Sequence, residues 1–433
     1  MKVLYDIFFI FFALFYLPVL LFKGRLHGEF LQKFGLLPEG LARLDRPVWI
    51  HAVSVGEAVI ASKLARRIKA RWPQVPVIVS TTTQTGNNMI RKAGKGCVDG
   101  VFYYPLDLSF VVSRVVKALS PRLYVMVETE LWPNLLKRLH SEGVPVALIN
   151  GRISDSSYGN YRKIKFVTKR VLPCVDTFCV QTQRDAERLS DMGAERKRIH
   201  VTGNMKFDDE ERLGQTRIIS KEYLGFGPES EIIVAGSTHF PEEQKVIDIF
   251  RDLNGRDRSI KLILAPRHVE RIDAIRIYTE KRGLAYRKLS DLLEPDAGAH
   301  TEGYDVLLVD LIGYLKDLYS LASVVFVGGS FAKHGGQNPI EPARWGKAVI
   351  YGPHMFNFRE VSEIFLANQA AVQVEDEKEL GQVLDRLLRS AEESSKLGRN
   401  ALGVIKKNTG AVDRALEKIK KHITDEWEER RLG

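Results

Sequence analysis

From Val48 onward, short runs of β-branched and aromatic residues alternate with stretches whose apolar residues recur at helical spacing. No other feature constrains the fold as tightly. PVWIHAV, VPVIVSTTT, GVFYYP, RLYVMVE, VPVALING and TFCVQT each read as a strand, with helical stretches such as Glu57 to Ala70 between them. A βαβα rhythm builds a parallel sheet with helices on both faces. Strands apolar at nearly every position suit a sheet covered on both sides. The rhythm pauses between Lys206 and Glu229, where FDDEER and then GFGP read as a linker. It restarts with EIIVAGST, KLILAPRH, GLAYRKL, DVLLVD, SVVFVGG and KAVIYG. The expected class is α/β, with two doubly wound, Rossmann-like domains facing a central cleft. The expected division is an N-terminal anchor (1–24), a first domain (25–205), a linker (206–230), a second domain (231–410) and a helical tail (411–433), whose end, KKHITDEWEERRLG, reads as a solvated helix.

The anchor rests on Ile7 to Phe22, which carries no charge and is near the lower length limit for spanning a bilayer. Lys2 is the only basic residue before it and no small-x-small pattern follows, so an anchor fits better than a cleaved signal peptide. Lys23, Arg25 and Lys33 come next, which puts the bulk of the chain on the cytoplasmic side. Pro18 kinks or ends the helix, leaving a shallow insertion as open as a full span. Lys+Arg 64 against Asp+Glu 54 gives +10, which suits an anionic partner. There is no basic patch with interleaved aromatics, so nucleic acid is not an expected partner. Cys97, Cys174 and Cys179 lack CxxC spacing, which argues against a disulfide framework or a zinc cluster.

Ligands of doubly wound sheets bind beyond the carboxyl ends of the strands, so those loops carry the chemistry. After VWIHAV comes Ser54-Val55-Gly56-Glu57, a small-residue turn into a helix. It exposes backbone N–H groups and sets one carboxylate at the rim. Taken alone, Glu57 fits capping of that helix equally well. No GxGxxG is present here, which counts against a nicotinamide-dependent enzyme. The next strand ends in Glu128-Thr129-Glu130, before Leu131-Trp132-Pro133-Asn134. Two carboxylates this close are costly if buried without partners, and they tilt the reading toward a polar substrate. Asn150-Gly151-Arg152, with Arg162, Lys163 and Lys165 beyond, is either a phosphate-binding loop or a solvated charged helix. In the second half, Ala265-Pro266-Arg267-His268 supplies a cation suited to phosphate. The richest stretch follows SVVFV: Gly328, Gly329, Gly335 and Gly336, then Asn338-Pro339-Ile340-Glu341. Asn338 reads as an N-cap, Pro339 as the first helical residue and Glu341 as the third. The glycines allow close backbone approach, giving N–H groups to a phosphate and Glu341 to a neutral hydroxyl.

HAVSVGE, ETELWPN and GGQNPIEP, in that order behind a hydrophobic N-terminus, resemble the 3-deoxy-D-manno-octulosonic acid (Kdo) transferases of lipopolysaccharide synthesis. The resemblance covers nearly the whole chain. It implies a GT-B glycosyltransferase with an N-terminal acceptor domain and a C-terminal donor domain. It also implies CMP-Kdo as donor, a lipid A precursor (lipid IVA) as acceptor, inversion at the anomeric centre, and no metal or other cofactor. Residue by residue, it implies that Glu57 is the general base and Glu130 a second essential acid, with Glu128 its uncertain neighbour. Pro266 and Arg267 fall in its CMP-binding loop, Gly313 in a turn near the cytosine, and Asn338 and Glu341 on the donor. Ser54, Gly56, Glu128 and Arg152 are candidates for acceptor or phosphate contact. Two other readings stay open: a GT-B transferase with a UDP-sugar donor and lipid-linked acceptor, and a non-catalytic, membrane-tethered nucleotide-binding protein.

Overall fold

The computed structural model describes residues 5–6, 30–208, 219–254, 259–293 and 303–424. The chain forms two units, Met1–Glu210 with Asn408–Gly433, and Glu211–Lys407. Each is built on a seven-stranded sheet whose strand pairs are all parallel.

The first sheet contains β1 (Val48–Ala52), β2 (Val77–Thr81), β3 (Gly100–Tyr103), β4 (Leu123–Val127), β5 (Val146–Gly151), β6 (Thr177–Val180) and β7 (Ile199–Val201), in the order β3-β2-β1-β4-β5-β6-β7. The strand order reverses between β1 and β4, whose residues Val48 and Leu123 are in register. Every residue of β1 and of β4 is buried, which is why these segments read as unbroken apolar runs. Successive side chains pack to opposite faces: Trp49 joins Tyr124 and Met126, while Val48 and Ile50 join Val125 and Val127.

The second sheet contains β8 (Glu231–Thr238), β9 (Ile260–Pro266), β10 (Tyr286–Lys288), β11 (Val306–Leu308), β12 (Val324–Val327), β13 (Ala348–Tyr351) and β14 (Val372–Gln373), in the order β10-β11-β9-β8-β12-β13-β14. Here the reversal lies between β8 and β12. Ile233, Ala235, Leu262, Leu264, Phe326 and Ile350 form the centre of its core.

The described part of the C-terminal tail packs against the first unit rather than standing clear of it. The helix Ala411–Ile419 buries Ala411, Val412, Ala415, Leu416 and Ile419 in the core of the first unit, and Ile423 follows them. Asp208 accepts hydrogen bonds from the backbone N–H groups of Gly410, Ala411 and Val412, capping that helix. The charges of this helix lie on its other face, where Arg71 pairs with Glu417.

Most of the expected anchor, 1–24, lies outside the described residues. Tyr5 and Asp6 are described, and the Asp6 carboxylate accepts from the Ser109 N–H (3.1 Å), the Ser109 hydroxyl (2.5 Å) and Asn134 Nδ2 (2.8 Å). Among the described residues no helix is long and apolar enough to cross a membrane. Lys33, read from sequence as a flanking charge, is half-buried with its ammonium 5.7 Å from the Tyr103 ring centroid.

Candidate active site

Ser54 caps the helix Val55–Arg71, its hydroxyl accepting from the Glu57 N–H at 3.3 Å. Glu57 turns back toward the cap. Its carboxylate accepts from the Val53 N–H (2.7 Å) and the Ser54 hydroxyl (2.8 Å), and the residue is 7% exposed. The capping role weighed from sequence is therefore present, and it fixes one orientation of the carboxylate. Gly56 and Ser54 are exposed beside it.

At the end of neighbouring β4 the backbone enters the left-handed region at Glu128 (φ 61°), a conformation that disfavours a side chain. That turn brings Glu130 toward Glu57. Burial, then the negative charge of Glu57, push the Glu130 carboxyl up to about 7. The two carboxylates thus follow adjacent strands at the point of reversed strand order, where doubly wound sheets bind their ligands. Thr129 ties the turn to the next strand end by donating to the Arg152 carbonyl at 2.7 Å. Arg162 and Lys165 stay with the solvated reading: the helix Asp155–Lys163 buries no residue, and Lys165 pairs with Asp191 at 2.8 Å.

Sequence reasoning missed the wall beneath this pair. His51, in the middle of an apolar strand, stacks on Tyr104 at 3.9 Å, and Tyr104 lies 5.5 Å from Trp132. His51 Nδ1 lies 3.0 Å from the Ser80 hydroxyl, and burial pushes the imidazole down to about 3. A histidine interrupting a buried strand was the available signal. Asp107 was missed as well. It accepts from the N–H groups of Asn134 (3.0 Å) and Leu135 (2.8 Å), and so fixes the start of the helix Pro133–Ser141 that follows ETELWPN.

In the second unit, β8 ends in Ser237-Thr238 and His239 follows, with Ser237 also left-handed (φ 54°). The glycine-rich loop after β12 lies against this strand end. A Cβ at Gly328 would collide with Thr238 backbone, and Cβ atoms at Gly335 and Gly336 would collide with Phe356, Asn357 and Met355. These glycines thus have a packing reason internal to the chain. The N–H groups of Gly329 to Ala332, at the start of the loop, are not open for phosphate. Glu242, fully buried at the start of the helix Glu242–Asn254, takes them instead. Its carboxylate accepts from Gly329 (2.7 Å), Ser330 (2.9 Å), Phe331 (2.8 Å) and Ala332 (3.3 Å), and from His239 (2.8 Å). A carboxylate standing in a concave row of N–H groups fills the place an anion would take. The sequence shows only a Glu-Glu helix start there.

Around that fixed loop several of the expected donor residues gather. Arg267 is exposed at the end of β9, its N–H bonded to the Thr238 carbonyl at 2.9 Å, and Pro266 pairs with Thr238. Asn338 Oδ1 accepts from the Ile340 N–H (3.0 Å), and its Nδ2 donates to Glu341 (3.3 Å). The helix begins at Ile340, one residue later than expected, with Pro339 at the cap position. Gly313 occupies a left-handed turn (φ 96°) open to solvent, beside Ile312 at 86% exposure. Among the described residues no group of three or more His, Cys, Asp or Glu is placed to hold a metal ion.

Two parallel-sheet α/β units, each with its polar loops at the point of reversed strand order, resemble the GT-B glycosyltransferases in fold. A solved glycosyltransferase from Rickettsia africae superposes with TM-score 0.51, 12% identity, and coverage of 88% of this chain and 100% of that one. UDP-GlcNAc 2-epimerase from Neisseria meningitidis superposes with TM-score 0.54 at 15% identity, covering 87% and 100%. The particular family is set by sequence. The 3-deoxy-D-manno-octulosonic-acid transferase (kdotransferase) profile matches residues 28–209. The 3-deoxy-D-manno-octulosonic acid transferase of Haemophilus influenzae is 30% identical over 402 residues, covering 92% of both chains. That of Bordetella pertussis is 33% identical over 345 residues, covering 77% of this chain and 78% of its own. The chain belongs to the Kdo transferase family and is a glycosyltransferase.

Proposed function

We propose that this enzyme moves Kdo from CMP-Kdo to lipid IVA with inversion, without a metal, at the cytoplasmic face of the inner membrane. The observation that carries the reading is the Glu57–Glu130 pair after the neighbouring strands β1 and β4. A sugar hydroxyl is a weak nucleophile, so an oriented carboxylate that accepts its proton lowers the barrier. Glu57 has that role, and the turn at Ser54 and Gly56, with Glu128 and Arg152, serves the acceptor and its phosphates. Glu130 is the second acid. The leaving group is a nucleoside monophosphate, already a stable anion, so it needs donors and a cation more than an acid. Arg267 supplies the cation beside Pro266, Gly313 lets the chain turn near the cytosine, and Asn338 and Glu341 take the ribose.

Glu57→Gln keeps the size of the side chain and removes the base. Its kcat should fall about 10²–10⁴-fold, read by mass spectrometry of lipid IVA after incubation with CMP-Kdo. Its affinity for CMP should be unchanged. Wild-type turnover in this variant would remove Glu57 from the chemistry. Binding of UMP in preference to CMP would favour a UDP-sugar donor instead.

A further inference from the structure

Three histidines from three separate loops meet at the strand ends of the second unit. His239 follows β8, His268 follows β9, and His334 lies in the glycine-rich loop after β12. The His239 and His334 rings stack at 4.2 Å with an interplanar angle of 21°, and His268 stands edge-on to His239 at 5.5 Å. His239 is 8% exposed, whereas His268, His334 and Arg267 are exposed around it. Gln337 Nε2 lies 3.1 Å from His239 Nε2. As drawn, the amide donates to a neutral imidazole, and the same amide turned over would accept from a protonated one.

The charged groups facing His239 come from each surrounding element. Arg267 and His268 follow β9, Arg271 lies in the turn beyond, and His334 is on the glycine-rich loop. Glu242 and Glu243 begin the adjoining helix. Glu242 is committed to five backbone N–H groups, and Glu243 pairs with Arg271 at 3.3 Å. Burial, then the neighbouring His334, His268, Arg267 and Arg271, hold His239 down to about 4. An anion entering here would offset those positive neighbours and favour the imidazolium. Face-to-face stacking of two imidazoles does not converge their nitrogens on one metal position, so the geometry favours an oxyanion over a metal.

We propose that His239, His268 and His334 form an oxyanion site that takes up a proton from solvent as an anionic ligand enters, so that its affinity falls as pH rises. The proposal rests on the donor reading above for the identity of that ligand. CMP-Kdo carries two candidate groups, a phosphodiester and a carboxylate, and both keep fixed charge near neutral pH.

The test is calorimetry of the full chain with CMP-Kdo in buffers of different ionisation enthalpy. Separate titrations with cytidine 5′-methyl phosphate and with free Kdo distinguish the phosphodiester from the carboxylate. The expected result is proton uptake, with Kd rising about tenfold between pH 6 and pH 8. His239→Asn and His334→Gln should each flatten that rise, and His334 is exposed enough for its variant to fold. The proposal is overturned by a Kd independent of pH and buffer. It is equally overturned by an unchanged profile in both variants, or by tight zinc binding that both variants abolish. If CMP-Kdo does not bind at any pH, the donor reading fails on its own. Sulfate then judges the site: pH-dependent binding lost in both variants upholds it, and no binding sinks it.

Discussion

Glu130 shows how one residue's chemistry depends on what folding sets beside it. Its sequence context, ETELWPN, puts it after a strand and before a proline-led helix, but says nothing of its charge. Near neutral pH it stands close to half protonated, because burial and Glu57 both disfavour the second negative charge. Below about 7 Glu130 is mainly neutral; above it, it adds a negative charge to the site. The phosphorylated acceptor proposed above meets more repulsion once that charge is present. The Kd for lipid IVA, measured without donor, should accordingly rise as pH increases through about 7 in the wild type. Glu130→Gln, which cannot ionise, should show no such rise. A Kd profile that is the same in both proteins would disconnect Glu130 from acceptor binding. The residues of the second unit were less legible. Glycine after a strand suggested ligand contact, whereas Gly328, Gly335 and Gly336 are needed first for close packing within the chain. Nothing local to Glu242 marks it as the carboxylate that fills the N–H row of a loop almost ninety residues on.

Among elements, the helix Ala411–Ile419 departs furthest from expectation. A charged C-terminal stretch reads as solvated, yet its apolar residues at helical spacing cover one face of the first sheet. The strand and helix pattern identified the sheet, but which helix covers it is a long-range matter. Leu416 is 3% exposed in that contact, and Leu416→Ala should lower unfolding free energy by about 2–5 kcal/mol, through lost burial and the cavity left behind. Urea denaturation followed by tryptophan fluorescence reads this directly, since Trp49 is buried in the same unit. A change below about 0.5 kcal/mol, the range usual for surface sites, would restore the solvated tail. The turns at the strand ends behaved more as expected. Ser54 and Asn338 both accept from backbone N–H groups at helix starts, because a short polar side chain there satisfies an otherwise unpaired donor.

For the whole molecule, each unit is a separate doubly wound body, and the chain passes between them twice, after Glu210 and after Lys407. The first unit is thus discontinuous in sequence, which a reading from one end to the other divides differently. Its stability carries a pH signature. His51 is fully buried and neutral, with its folded value near 3 against an ordinary 6.5. The unfolded chain takes up a proton that the folded chain refuses. Stability from this group is therefore complete above 6.5 and declines as pH falls toward 3, by up to about 1.4 kcal/mol per pH unit. His51→Gln should flatten the fall in urea midpoint across that interval. An unchanged slope would assign the acid sensitivity elsewhere.

The sequence by itself determined the two parallel sheets, the strand ends that carry polar loops, and the motifs that mark the family. Those features repeat with the local period of strands and helices, so they can be read within a few residues. Tertiary structure alone decided that the last helix returns to the first sheet and that Glu57 and Glu130 share one environment. It alone decided that Glu242 occupies the glycine-rich loop and that three histidines meet at one set of strand ends. Each of these joins segments far apart in the chain, and only strand order and register bring such segments together.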